Sequence, residues 1–335
     1  MTGWLSLARV VATFGVVVLH VSSNLVDTAA LGSLNWWVGH LGDSITRWTV
    51  PVFVMISGVL LSQPKYAGDF KLFYSRRLNK ILVPFTFWSI FYSCIIYLFS
   101  DQALSVDTLM YRLVTGNPFY HMWYLYMIVG LYIFIPFINL WIQKMSDAEL
   151  GALTLLAFVA VALDTWGAYL IGNLTSRLPI LWFIDYLPFY LFGAFFSRPN
   201  LAKRIVQMRV KLTTSAFLTI FIGFYFVWDF CGKELALVFY DYRNGVVGLF
   251  ALSIFSFFYT CPVPSDLKSL TKLDQVSFGV YLIHPFIIIC LLYVEVDALL
   301  DSVVLYSIIF SIMVFCVSAT TVSIIQAVPL LRKVV

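Results

Sequence analysis

The stretch Trp4–Val21, WLSLARVVATFGVVVLHV, is apolar almost throughout, yet it carries a guanidinium at Arg9 and an imidazole at His20. Eleven residues apart in a helix, the two side chains return to within about 20° of one face. They stand roughly 16 Å apart along the axis, about half the thickness of a bilayer core. Arginine in an apolar helix is costly unless it faces a bundle interior or a wet cavity. An imidazole that is neutral near pH 7 suits removal of a proton from a hydroxyl, and a nearby guanidinium supplies fixed charge for an anionic donor or intermediate. The plainer reading has Arg9 and His20 snorkelling to opposite headgroup layers.

Four other groups of residues bear on chemistry. Arg76, Arg77 and Lys80 fall within one turn of FKLFYSRRLNKILVP. Such a cluster answers either to anionic lipid or to a phosphate-bearing ligand. Ser57-Gly58 in PVFVMISGVLL allows close approach of a second backbone or of a ligand. In FYHMWYLYMIVG, Trp123 and Tyr124 fit an interfacial aromatic belt, which does not account for His121. In SFGVYLIHPF, Ser277, Tyr281 and His284 share a helix face at i, i+4, i+7, and Pro285 frees the Tyr281 carbonyl as an acceptor beside that face. Asp185 in LWFIDYLPF either pairs with Arg9 or His20 or lies at the outer interface. The histidines show no metal-ligand spacing, so no metal is expected.

These residues need a membrane scaffold. The 335 residues are 61% hydrophobic and 11% charged, with a mean hydropathy of +0.91. Soluble domains run near 25% charged, so the chain is read as an integral membrane protein. Spans are expected over 4–22, 45–62, 81–99, 119–142, 150–168, 178–196, 212–229, 245–261, 275–294 and 302–326. Each is taken as a helix, because open strands cannot satisfy their backbone in lipid. The fold class is therefore all-α and polytopic, with about ten transmembrane helices in one domain over 1–335. With the N-terminus inside, fifteen Lys and Arg fall in inner segments and five (Arg47, Arg112, Arg177, Lys233, Arg243) in outer ones. That asymmetry places both termini inside. Basic residues confined to short loops do not suit nucleic acid.

Five scattered cysteines without a CxxC pair offer neither a disulfide framework nor a thiolate metal site. The first apolar run lacks a basic n-region and is followed by SSN, which argues against a cleaved signal peptide. Buried His and Asp residues also serve proton-coupled transporters, though the chain has no repeat symmetry of that kind. A transporter or flippase of an acyl or glycan species is thus the alternative to an enzyme, and a scaffold is disfavoured by the intramembrane Arg and His.

Taken together, the motifs resemble the membrane acyltransferase family 3. The correspondence rests on Arg9, ten residues and His20 in the first span, and on VFVMISG ending at Ser57 and Gly58. It continues with Arg76, Arg77, Lys80 and Pro84, then His121, Trp123, Tyr124 and Leu125, and finally Ser277, Gly279, Tyr281 and His284. Lys80 stands where Arg is usual. The resemblance is to the short form without a fused esterase-like domain. It implies transfer of an acyl group, usually acetyl from acetyl-CoA, to a hydroxyl of a cell-envelope sugar at the bacterial inner membrane. It also implies His20 as general base and Arg9 as catalytic charge, with Arg76, Arg77, Lys80 and Ser57 toward the acyl-CoA. His121, Trp123, Tyr124, Asp185, Tyr281 and His284 would form the pocket, with a glycan or lipid-linked saccharide and membrane lipids as partners.

Overall fold

The computed structural model describes residues 3–68, 70–99, 105–171, 177–198, 202–263, 267–294 and 302–335. Among them there is no strand, and ten helical segments are long and apolar enough to cross a membrane. They are Gly3–Thr28, Leu34–Leu61, Lys80–Leu98, Trp123–Ile142, Asp147–Ile171, Pro179–Phe196, Val206–Cys231, Lys233–Thr260, Lys268–Tyr293 and Val303–Ala327. They follow the expected spans in number and order, and they make this a multi-pass membrane protein. Leucines and isoleucines left exposed on spans five, seven and ten, such as Leu156, Leu163, Ile222 and Ile308, would face lipid rather than water.

Span two is longer than expected, and it is broken. Pro51 has no N–H for the Arg47 carbonyl, and its ring crowds that oxygen. The helix accordingly stops at Thr46 and restarts as Thr49–Leu61. The outer half, Leu34–Thr46, begins at an N-cap where Ser33 Oγ accepts from the Trp36 N–H at 3.2 Å. Its WVGHLGDS run lacks an apolar stripe, which is why the expected boundary fell at 45. Arg47, counted among the outer charges, lies at the break, with about three further turns of the span beyond it. Span eight is divided too. A short helix and a 3-10 turn end at Tyr240, then Asn244 caps Gly245–Thr260 by accepting from the Val246 N–H at 2.9 Å.

The first span is the hub, packed against spans two, eight, nine and ten. Its buried face is built from small residues and valines, Ala8, Ala12, Gly15, Val16 and Val17, which let neighbouring backbones come close. The inner half of span two meets span six most closely at Gly58 and Gly193. A Cβ on Gly58 would run into the Tyr190 carbonyl, and one on Gly193 into the Met55 carbonyl. This contact accounts for Gly58 as packing between two backbones.

Gly58→Ala or Gly193→Ala should lower the unfolding midpoint in detergent, at an overpacking cost of about 1–3 kcal/mol. Gly167→Ala, with nothing within 4 Å of the added Cβ, should not. Equal midpoints for all three would contradict the contact.

Candidate functional site

A cavity of about 270 Å³ lies among the first, second, third, fourth and ninth spans. One end carries Arg77 and Lys80, and the other is closed by Tyr124 and Tyr281, whose rings meet edge to face at 5.4 Å. Arg9, Ser57, Tyr132, Asp274 and Ser277 lie along its wall between apolar side chains. The cation-bearing end is built where the chain passes from a π turn over Tyr74–Leu78 into the helix Asn79–Phe99. Arg77 Nη2 donates to the Tyr66 hydroxyl at 3.0 Å, and Lys80 is exposed. The side chain of Arg76 lies outside the described residues.

Arg9 faces this cavity, and its partner is Asp274, not Asp185. Arg9 Nη2 is 3.0 Å from Asp274 Oδ2, and Ser6 Oγ donates to the same oxygen at 2.8 Å. Sequence reading missed Asp274 because span nine was expected to start at 275. The helix in fact begins at Lys268, which puts Asp274 nearly two turns inside. The signal was present in the sequence: Asp274, Ser277, Tyr281 and His284 follow one another at helical spacing on one face. Ser57 and Ser277 spend their hydroxyl protons within their own helices, on the Phe53 carbonyl at 3.1 Å and the Leu273 carbonyl at 2.9 Å.

Behind Tyr281 lies a cluster of three histidines from three segments. The His20 ring stacks on His284 with centroids 5.3 Å apart and meets Tyr120 edge-on at 4.8 Å. His121 meets His284 edge to face at 5.5 Å, with Tyr92 at 4.9 Å on another side. Tyr281 belongs to both the cavity and the cluster: it lines the first, its ring meets His121 at 5.4 Å, and its hydroxyl donates to the His121 carbonyl at 2.5 Å. Pro285 fixes the state of His284. The carbonyl it frees on Tyr281 takes a hydrogen bond from His284 Nδ1 at 2.8 Å, with the Val280 carbonyl at 3.2 Å. Carbonyls only accept, so Nδ1 carries the proton and Nε2 is left as an acceptor. That Nε2 is buried and has no hydrogen-bond partner. Among the described residues, no three His, Cys, Asp or Glu side chains are grouped so as to hold a metal ion.

Asp185 and Trp123 belong to a separate polar region. Asp185 Oδ1 accepts from Arg177 Nη1 at 2.6 Å, and its Oδ2 lies 3.7 Å from Arg243, which is itself held by Asp241. Trp123 stacks on Tyr242 at 5.8 Å and leans on Tyr186 at 5.5 Å. Next to Tyr242, Arg47 pairs with Asp43, donates to the Tyr240 carbonyl at 3.0 Å and lies 4.0 Å over the Tyr240 ring. His40, fully buried, has both ring nitrogens occupied by the Tyr240 hydroxyl (2.5 Å) and the Phe221 carbonyl (2.9 Å). His40 went unnoticed, and Asp43 and Arg47 counted only as outer charges, because the outer half of span two, Leu34–Thr46, reads largely as loop.

A family described as an acyltransferase domain matches residues 2–325. The chain belongs to acyltransferase family 3. This acyltransferase is also similar to the succinoglycan biosynthesis protein ExoH of Rhizobium meliloti (strain 1021), with 31% identity over 104 residues. The match covers 30% of this chain and 28% of that relative's length. No solved structure matches the chain.

The Pro285–Tyr281–His284 arrangement is open to test by nitrogen NMR on histidine-labelled protein. His284 should be protonated at Nδ1 and His40 at Nε2. Pro285→Ala returns an N–H to compete for the Tyr281 carbonyl and should shift His284 toward the Nε2 form. An unchanged tautomer would contradict the derivation.

Proposed function

We propose that this acyltransferase takes an acetyl group from cytoplasmic acetyl-CoA and places it on a hydroxyl of a cell-envelope glycan at the bacterial inner membrane. The observation that carries the reading is the cavity that starts at Arg77 and Lys80 and ends at Tyr124 and Tyr281, with His121 and His284 against the Tyr281 ring and His20 stacked behind His284. A basic mouth on an otherwise largely apolar passage suits a ligand with phosphates at one end and a neutral thioester at the other. The excess of Lys and Arg in the segments flanking Arg77 supports an inner-side mouth. The glycan acceptor is supported by the similarity to the succinoglycan biosynthesis protein of Rhizobium meliloti.

In the proposed reaction, His20 removes the hydroxyl proton of the acceptor as its oxygen attacks the thioester carbonyl. The tetrahedral intermediate collapses with cleavage of the C–S bond. The acyl group leaves on the sugar oxygen, and the proton held by the imidazole passes to the departing CoA thiolate. Stacking on His284 holds the His20 ring in place, and Tyr281 and Tyr124 close the pocket around the reacting carbonyl. Trp123 and the polar region around Asp185 lie toward the side from which the acceptor would come.

Loss of a general base costs typically 10²–10⁴-fold. His20→Ala should therefore reduce glycan acetylation, read by NMR of the isolated polysaccharide, by about 100-fold or more at equal membrane abundance. Undiminished acetylation would overturn the assignment. Purified protein should consume acetyl-CoA only when acceptor is present, whereas a transporter would show no such consumption.

A further inference from the structure

Among the described residues lining the cavity, three buried side-chain atoms lack a hydrogen-bond partner: Arg77 Nε at the mouth and, together on the wall, one atom each of Arg9 and Asp274. Asp274 is 7% exposed at its side chain, and its Oδ2 is taken by Arg9 and Ser6, but its Oδ1 is buried with no partner. Arg9 Nη2 lies within ion-pair distance of Asp274 yet makes no hydrogen bond. The lining around them is otherwise apolar, apart from tyrosine hydroxyls, that of Tyr132 on the side of Ser57 and Arg9, and two serines whose hydroxyls already donate to their own helices. An acceptor and a donor thus sit side by side on a pair whose charges cancel. Among the lining residues Asp274 is the one carboxylate, so the uncompensated cations are Arg77 and Lys80 at the mouth.

The shape of this unmet demand selects its ligand. A phosphate or carboxylate would be repelled by Asp274 and would leave Oδ1 without a donor. An alkyl chain would leave both atoms unpaired, at a cost for each. A secondary amide meets both, its N–H pointing to Asp274 Oδ1 and its carbonyl to Arg9. We propose that Arg9 and Asp274 form an amide-reading subsite for the pantetheine arm of the acyl donor, which carries two secondary amides between its thioester and its phosphates. The inference rests on the acyl-CoA reading above. It gives Arg9 a directional role in gripping the donor, with its charge already matched at rest. Along the cavity the sorting is then by polarity: phosphates at Arg77 and Lys80, amides at Arg9 and Asp274, thioester at Tyr281.

Asp274→Asn is the informative variant. Its amide oxygen would turn to Arg9 and Ser6, both donors, which leaves its NH₂ where Oδ1 was. The open acceptor becomes a donor while size is kept. Calorimetric binding to purified protein should be measured with acetyl-CoA, with S-acetylpantetheine, and with an analogue in which esters replace both amides, which removes the N–H groups without adding bulk. Wild type should bind S-acetylpantetheine about tenfold or more tighter than the ester analogue, as expected for a hydrogen bond to a charged group. Asp274→Asn should bring the two to within about twofold, while Arg77→Ala should keep that ratio and weaken acetyl-CoA alone. Equal wild-type affinity for amide and ester, or an unchanged ratio in Asp274→Asn, would overturn the subsite. The wild-type comparison decides by itself if the variant does not fold. Wild type that binds the pantetheine compounds but gains nothing from the nucleotide would fault Arg77 and Lys80 and leave the subsite standing. Wild type that binds none of the three would overturn the acyl-CoA reading itself.

Discussion

Arg9 and Asp274 remain inside an apolar bundle because each cancels the other's charge. Removing one partner of such a pair leaves an uncompensated ion, a loss of about 3–5 kcal/mol in buried cases. That requirement ties the first span to the ninth. With Ser6 on the same carboxylate, it sets the rotation of the first helix about its axis. The rotation that brings Arg9 to Asp274 also turns His20, three turns further on, toward His284 on that same ninth span. The two helices thus meet at two polar points, one charged and one aromatic, separated by small residues that allow close contact.

Proline acts on this scaffold where it makes chemistry available. Pro285 frees one carbonyl, and His284 takes it, which settles where the proton sits on that ring. Pro51 frees another at Arg47 and breaks span two, so that an arginine and an aspartate stay within the bundle beside Tyr240. At Tyr281 the missing backbone hydrogen bond is replaced by a side-chain partner, as a low-dielectric interior demands.

The ten spans were legible because lipid imposes a long apolar run on every crossing, and composition alone reports it. The shared face of Arg9 and His20 was legible because helical periodicity is local. So was the free Tyr281 carbonyl, which follows from Pro285 itself. Pairing across the bundle was not. Asp185 offered no clue that its cations would be Arg177 and Arg243, since partners eight and fifty-eight residues away leave no periodic trace. Asp274 was passed over for a boundary set seven residues too late, and the burial of Asp43 with Arg47 for a helix whose polar composition hides it. The sharing of a single tyrosine between cavity and histidine cluster is likewise a property of packing among four segments.

The central claim is that the inward face of the first span lines the path of an acyl donor that ends at the histidines. A cryo-electron microscopy structure with a non-reactive acetyl-CoA analogue tests it most directly. The phosphates should lie at Arg77 and Lys80, the arm against Arg9 and Asp274, and the acyl end at Tyr281, next to the histidine cluster. An analogue bound elsewhere, with the cavity filled by lipid, would contradict it.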